Sequence, residues 1–210
     1  MRRFTLAAIL SALATAPAAA QTWTYRGVSG PSGRYWHAMA YDSSRSVTVL
    51  FGGSTPGSYN GETWEWNGAT WNQRMVAGPG PRADHAMAFD AARGVTVLFG
   101  GYTDGPADAQ TWEWDGIVWS QRNVASPSLR AEHAMAFDSA RGVTVLFGGR
   151  VGNTFNGETW EWNGTTWSLR SQTGPSPRRN PTMAYDSARG VTVLFGGNTA
   201  TSSGYNDETW

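Results

Sequence analysis

The stretch His85–Gly101, HAMAFDAARGVTVLFGG, returns almost letter for letter from His37, from His133 and, with Pro181 in place of the histidine, in a fourth copy. The paired glycines that close it fall at Gly52-Gly53, Gly100-Gly101, Gly148-Gly149 and Gly196-Gly197, a spacing of 48 residues kept three times in succession. Self-similarity at such a period means one supersecondary unit stacked on copies of itself. Within the stretch, Val95, Val97 and Phe99 share one face of an extended segment and Thr96 and Leu98 the other. Both faces are largely apolar, which predicts a strand covered from both sides. His85–Phe89 predicts the strand before it. Asp90-Ala91-Ala92-Arg93-Gly94 reads as the turn between them, where Asp bonds its own backbone and Gly takes a positive φ.

Downstream, the nine residues Tyr102–Gln110 lead to a third strand, Thr111–Trp114, and Asp115-Gly116 predicts a two-residue hairpin turn into a fourth strand carrying Trp119. Asn67-Gly68 and Asn163-Gly164 hold the same place in the neighbouring copies. Counted across such a turn, Trp66 would oppose Ala69, Glu65 would oppose Thr70, and Trp64 would oppose Trp71, giving the outer hairpin a tryptophan cluster on one face. The repeats run over residues 34–74, 82–122, 130–170 and 178–210. Residues 22–26 align with the end of a repeat and are expected to supply the fourth strand of a closing unit.

Four-stranded units without any 3.6-residue apolar period predict an all-β fold, a β-propeller. The double glycine after an apolar strand, the aromatics spaced downstream and the R-x-x-H opening (Arg34 to His37, Arg82 to His85, Arg130 to His133) resemble kelch repeats. The resemblance covers nearly all of residues 22–210. It implies four-stranded blades, four blade-equivalents in this chain, either closing a small ring or forming part of a larger one. Kelch-like blades serve adaptors, lectin-like binders and a few enzymes, so the resemblance does not select one function.

The first 20 residues combine Arg2-Arg3, an apolar run from Phe4 to Leu13 and the small-residue end Ala18-Ala19-Ala20. They read as a signal peptide, and the expected product is exported, periplasmic or extracellular, over residues 21–210. The apolar run is shorter than the ~20 residues that span a bilayer, so no membrane insertion is expected after cleavage. The chain has 16 basic and 16 acidic residues, and removal of Arg2 and Arg3 leaves 14 basic ones, which argues against a nucleic-acid partner. It has no cysteine, so core and hydrogen bonds must stabilise it without disulfides; 12 Trp, 8 Phe and 7 Tyr provide for that core.

Alternating strand direction puts the first-to-second and third-to-fourth turns on one side and the second-to-third and repeat-to-repeat loops on the other. The first side is nearly the same in every copy. The second side differs in each, which is where binding residues are expected: Tyr59, Tyr102, Asp104, Arg150, Phe155 and Tyr205. Arg34, Arg82, Arg130 and Arg178 recur at the entry to each first strand on that side. They either hold an anionic ligand as a ring of guanidinium groups or bond loop carbonyls of their own blade. His37, His85 and His133 have a zinc-like count but lie on blades about 10 Å apart, so a structural role within the blade is expected and no metal. Glu65, Glu113 and Glu161, like Asp42, Asp90, Asp138 and Asp186, occur once per repeat and read as structural carboxylates.

Gly78–Ala83 fits a dinucleotide fingerprint in letters only, since it contains two prolines and precedes a strand, and no catalytic residue or cofactor is expected. The expected function is a binding or scaffolding module for a protein or glycan. The alternatives are an exported sugar-processing enzyme resembling a sialic-acid mutarotase, whose acidic sugar would suit the arginines, and a structural surface or adhesion protein.

Overall fold

A computed structural model describes residues 23–200 and 204–210. The expected signal peptide, residues 1–20, lies outside them. Every element among the described residues is a β-strand, and the strands pair antiparallel. The second unit pairs Ala86–Asp90, Val95–Phe99, Thr111–Trp114 and Trp119–Arg122 in chain order. The first does the same with Ala38–Asp42, Val47–Phe51, Thr63–Trp66 and Trp71–Arg74. The third uses Ala131–Asp138, Val143–Val151, Thr159–Trp162 and Trp167–Ser171, and the fourth pairs Thr182–Asp186 with Val191–Phe195. The first strands of successive units pack side by side.

The alternation in the second strand is answered on both faces. Ala86, Ala88, Val97 and Phe99 of the second unit form one core with Met135, Leu146, Trp162 and Trp167 of the third. The opposite face contributes Met87, Leu98, Trp114 and Trp119 to a core with Ala40, Val49 and Phe51 of the first unit. Each core thus lies between units and is built by two of them.

Polar bonds repeat across the same joint. Trp114 Nε1 donates to Glu65 Oε1 at 3.0 Å and Trp119 Nε1 to Thr63 Oγ1 at 2.9 Å. One repeat on, Trp162 donates to Glu113 and Trp167 to Thr111, both at 2.8 Å. Glu113 also accepts from Arg93 at 2.5 Å and from Arg122 at 2.7 Å, and Arg93 reaches Asp90 at 2.7 Å. The once-per-repeat carboxylates are therefore the anchors of this network.

The turn expected at Asp90–Gly94 is present: Asp90 Oδ1 accepts from the Ala92 and Arg93 amides, and Gly94 has φ +68°. The outer hairpin differs from its expectation. Trp66 opposes Trp71, Glu65 opposes Asn72, and Trp64 opposes Gln73. Its loop has four residues, because Asn67 Oδ1 accepts from the amides of Ala69 and Thr70 and holds them outside the ladder. The variable loops also carry some structure. Ser54–Thr55 pairs with Ser58–Tyr59, and Thr154–Phe155 pairs with the end of the long second strand of its unit.

Residues Trp23 to Arg26, expected to supply the fourth strand of a closing unit, lie in no strand, and Trp23 and Tyr25 are exposed. In the fourth unit Thr209 bridges Phe195, and Trp210 and Leu194 exchange backbone hydrogen bonds.

Candidate functional site

On the variable-loop side, one residue near the start of each first strand takes an unusual backbone conformation. Trp36, Asp84, Glu132 and Asn180 have φ of +58°, +55°, +61° and +51°. Left-handed backbone is uncommon outside glycine and needs support from its surroundings. The support is a chain of backbone bonds that crosses all four units. The Asp84 amide donates to the Trp36 carbonyl at 2.9 Å, Glu132 to Asp84 at 2.9 Å, and Asn180 to Glu132 at 2.7 Å. Four side chains from four units are thereby turned toward one cavity of about 330 Å³. Tyr59, Tyr102, Arg150 and Arg179 complete its lining.

The two halves of the cavity differ in chemistry. Units three and four supply a tied network: Glu132 accepts from Arg150 Nε at 2.6 Å, from Arg179 Nη1 at 3.1 Å and from Asn180 Nδ2 at 3.1 Å. Arg150 lies over the Tyr102 ring and Arg179 over Phe155, each 5.7 Å from the centroid, as cations sit on aromatic faces. Units one and two supply Trp36, Tyr59 and Asp84. Trp36 is more than half exposed and braced edge-on by Tyr35 at 4.5 Å. The Asp84 carboxyl makes no hydrogen bond among the described residues. Burial, and then the Glu132 charge, push it up to about 7, against the pull of Arg150 and Arg179.

Of the residues expected to bind, the structure brings together Tyr59, Tyr102 and Arg150. Phe155 stands behind Arg179 and lines a neighbouring groove with Pro175 and Pro177. Asp104 meets Tyr59 in a groove of its own, and Tyr205 lines a cavity on the far side of Arg179 and Asn180.

Arg34, Arg82, Arg130 and Arg178 take the second of the two roles open to them. Arg82 donates to the carbonyls of Gly80 and Gly100 and reaches Gln110 and Asp108. Arg130 bonds Ser128, the Gly148 carbonyl and Glu158, and Arg178 does the same with Ser176, Gly196 and Glu208. Arg34 repeats the pattern with Ser32, Gly52 and Glu62. Arg82, Arg130 and Arg178 are buried, and their guanidinium groups staple a loop inside one unit.

The histidines work between units. His85 packs edge-on against Phe51 of the unit before it at 5.6 Å, and His133 against Phe99 at 5.5 Å. Burial, reinforced by the neighbouring Arg82 or Arg130, holds both imidazoles down to about 3, so they stay neutral. Their ring nitrogens find no side-chain partner. What matters is ring shape, and Pro181 fills the same place beside Gly148 in the fourth unit. Among the described residues no group of three or more His, Asp or Glu could hold a metal ion.

No protein-family model matches the chain. A search of curated proteins likewise finds no match.

Proposed function

We propose that this chain is an exported kelch-type β-propeller that acts as a binding module through the cavity on its variable-loop side. One observation carries the reading. Four positions equivalent in fold, strained in the same way and joined by the same backbone bonds, present four different side chains: Trp36, Asp84, Glu132 and Asn180. A repeat that keeps its frame and varies what the frame displays is suited to recognition, since packing alone asks for no such variety.

The ring reading is supported by the terminal sheets. Met39 is 47% exposed where Met87 and Met135 are 8% exposed, and Phe195 is 53% exposed where Phe99 is fully covered. Closing a ring through those faces would cover them as the internal joints are covered. Small-angle scattering from the native protein tests this: a compact disc is expected, and a rod or two-layer sandwich would overturn it.

Binding is tested with a glycan and peptide array probed by the mature protein and by Trp36→Asn, a change that suits left-handed backbone because Asn180 already adopts it. Saturable binding lost in the variant is expected; binding that the variant keeps would overturn the assignment to this cavity. A sugar-processing enzyme is a second reading, favoured by the elevated Asp84 carboxyl beside the arginine-bound Glu132, since a carboxyl that keeps its proton up to about pH 7 suits acid–base work. Turnover of a bound sugar, followed by NMR, separates it from binding alone.

A further inference from the structure

The cavity holds donors without acceptors and one acid without a donor. Arg150 uses Nε on Glu132 and Nη1 on the Gly152 carbonyl, and Arg179 uses Nη1 on Glu132. The Nη2 groups of both have no hydrogen-bond partner among the described residues, and Arg179 Nε is buried with none. Buried polar atoms without partners are rare enough in folded proteins to need a reason. Two guanidinium groups share one tied carboxylate, and the other acid present, Asp84, holds its proton up to about pH 7. With Asp84 protonated, the site has one positive charge in excess. A cationic ligand would face that excess, and a neutral one would leave it unmet. Opposite the arginines, Trp36 offers a broad ring surface, and a volume of about 330 Å³ lies at the small end of ligand sites.

We propose that the cavity binds one carboxylate-bearing sugar ring, a hexuronate-type residue of a glycan, with its carboxylate on the unpaired Nη2 groups of Arg150 and Arg179 and an apolar ring face on Trp36. The assignment rests on the binding-module reading and adds the ligand class. The two oxygens of a carboxylate accept charge-assisted bonds from two guanidinium groups at once, one from each Nη2. A pyranose, unlike the short side chain of Asp or Glu in a peptide, also has a flat C–H face for the indole. Asp84 is faced by Glu132, Arg150, Arg179 and Tyr102. A carboxylate arriving beside these groups raises the proton affinity of Asp84 further, so binding takes up a proton and tightens as pH falls.

The test is isothermal titration of the mature protein with methyl glucuronide, methyl glucoside, the methyl ester of the glucuronide and an acidic tetrapeptide, at pH 8 and pH 6. The glucuronide is expected to bind at least about tenfold more tightly than the glucoside or the ester, on the scale of a charge-assisted bidentate pair. Affinity is expected to rise roughly three- to tenfold from pH 8 to pH 6. Arg150→Gln and Trp36→Asn should each weaken binding about tenfold, and Trp36→Asn, at an exposed site, is read even if the arginine variant fails to fold. Equal affinity for glucuronide and glucoside would overturn the carboxylate contact. Binding of the peptide in place of the glucuronide would overturn the sugar assignment and leave the binding module standing. If no probe binds and array signals are indifferent to both variants, the cavity reading falls with it.

Discussion

Glu113→Gln and Glu161→Gln make the same chemical change at the same repeat position with different surroundings. Glu113 accepts from Arg93, Arg122 and the Trp162 indole of the next unit. Glu161 accepts from Arg141 and Arg170, and no indole of a following unit reaches it among the described residues. Arg141 and Arg170 are each more than half exposed, whereas Arg93 is 28% exposed. Breaking a buried carboxylate–arginine pair costs about 3–5 kcal/mol. The partly open arginines put Glu113→Gln near the lower end, about 3 kcal/mol. Glu161 is itself buried, but pairs whose arginines are this open contribute about 1 kcal/mol or less, so Glu161→Gln should cost on the order of 1 kcal/mol. The difference, about 2 kcal/mol, combines the deeper burial of the Glu113 pairs with the lost charge at the acceptor of the Trp162 indole. Urea unfolding followed by tryptophan fluorescence measures it, with the slope checked in each variant because repeat arrays can lose two-state behaviour. Glu65→Gln, which leaves the Trp114 indole a neutral acceptor in place of a charged one, should follow Glu113→Gln. Equal losses at Glu113 and Glu161 would refute the claim that the indole bonds tie the units together.

Asp84→Asn should stabilise the protein above pH 7 and leave it unchanged near pH 4. The folded state binds the Asp84 proton more tightly than the unfolded chain does, so its contribution is complete below about pH 4 and lost as pH rises to about 7. Discounted for the open mouth of the cavity, the gain is about 1–2 kcal/mol, and thermal unfolding at pH 8 and pH 4.5 would read it; destabilisation at pH 8 would contradict the burial argument. His85 and His133 act in the other direction. Held at about 3 in the folded protein, they take up protons on unfolding, and stability should fall below pH 6.5 by about 1.4 kcal/mol per histidine at pH 5.5 relative to pH 8. A His85→Gln, His133→Gln double variant should flatten that slope, and an unchanged slope would place the titration elsewhere.

The repeat period, the strand faces and the Asp90–Gly94 turn could be read from the chain because each rests on local rules that hold in every copy. The outer-hairpin register could not, because Asn67-Gly68 is the usual sign of a two-residue turn and only the Asn67 side chain, bonding two amides beyond the glycine, lengthens it. Arg82 was conspicuous for recurring, yet recurrence went with burial and a purely internal task. The more informative positions stood two residues further on. Trp36, Asp84, Glu132 and Asn180 break a nearly constant frame between Arg and His or Pro, and that break was the available signal of exposure to something outside the fold. Their positive φ has no signature in residue type, since Trp and Glu ordinarily avoid it. Tyr59, Tyr102 and Arg150 were legible from loop variability, but their convergence depends on the backbone chain that crosses the units.

The indoles of Trp114 and Trp162 find their acceptors 49 residues earlier, in the unit before their own. The second unit thus carries both stud, Trp114, and socket, Glu113, one on each side. A gene that gains or loses a whole copy by unequal exchange meets an identical joint at either edge of the change, so the array can lengthen or shorten without inventing a new fit. Near-identical copies are therefore what such growth would leave behind, and selection afterwards need only repaint the four cavity positions and the loops beside them.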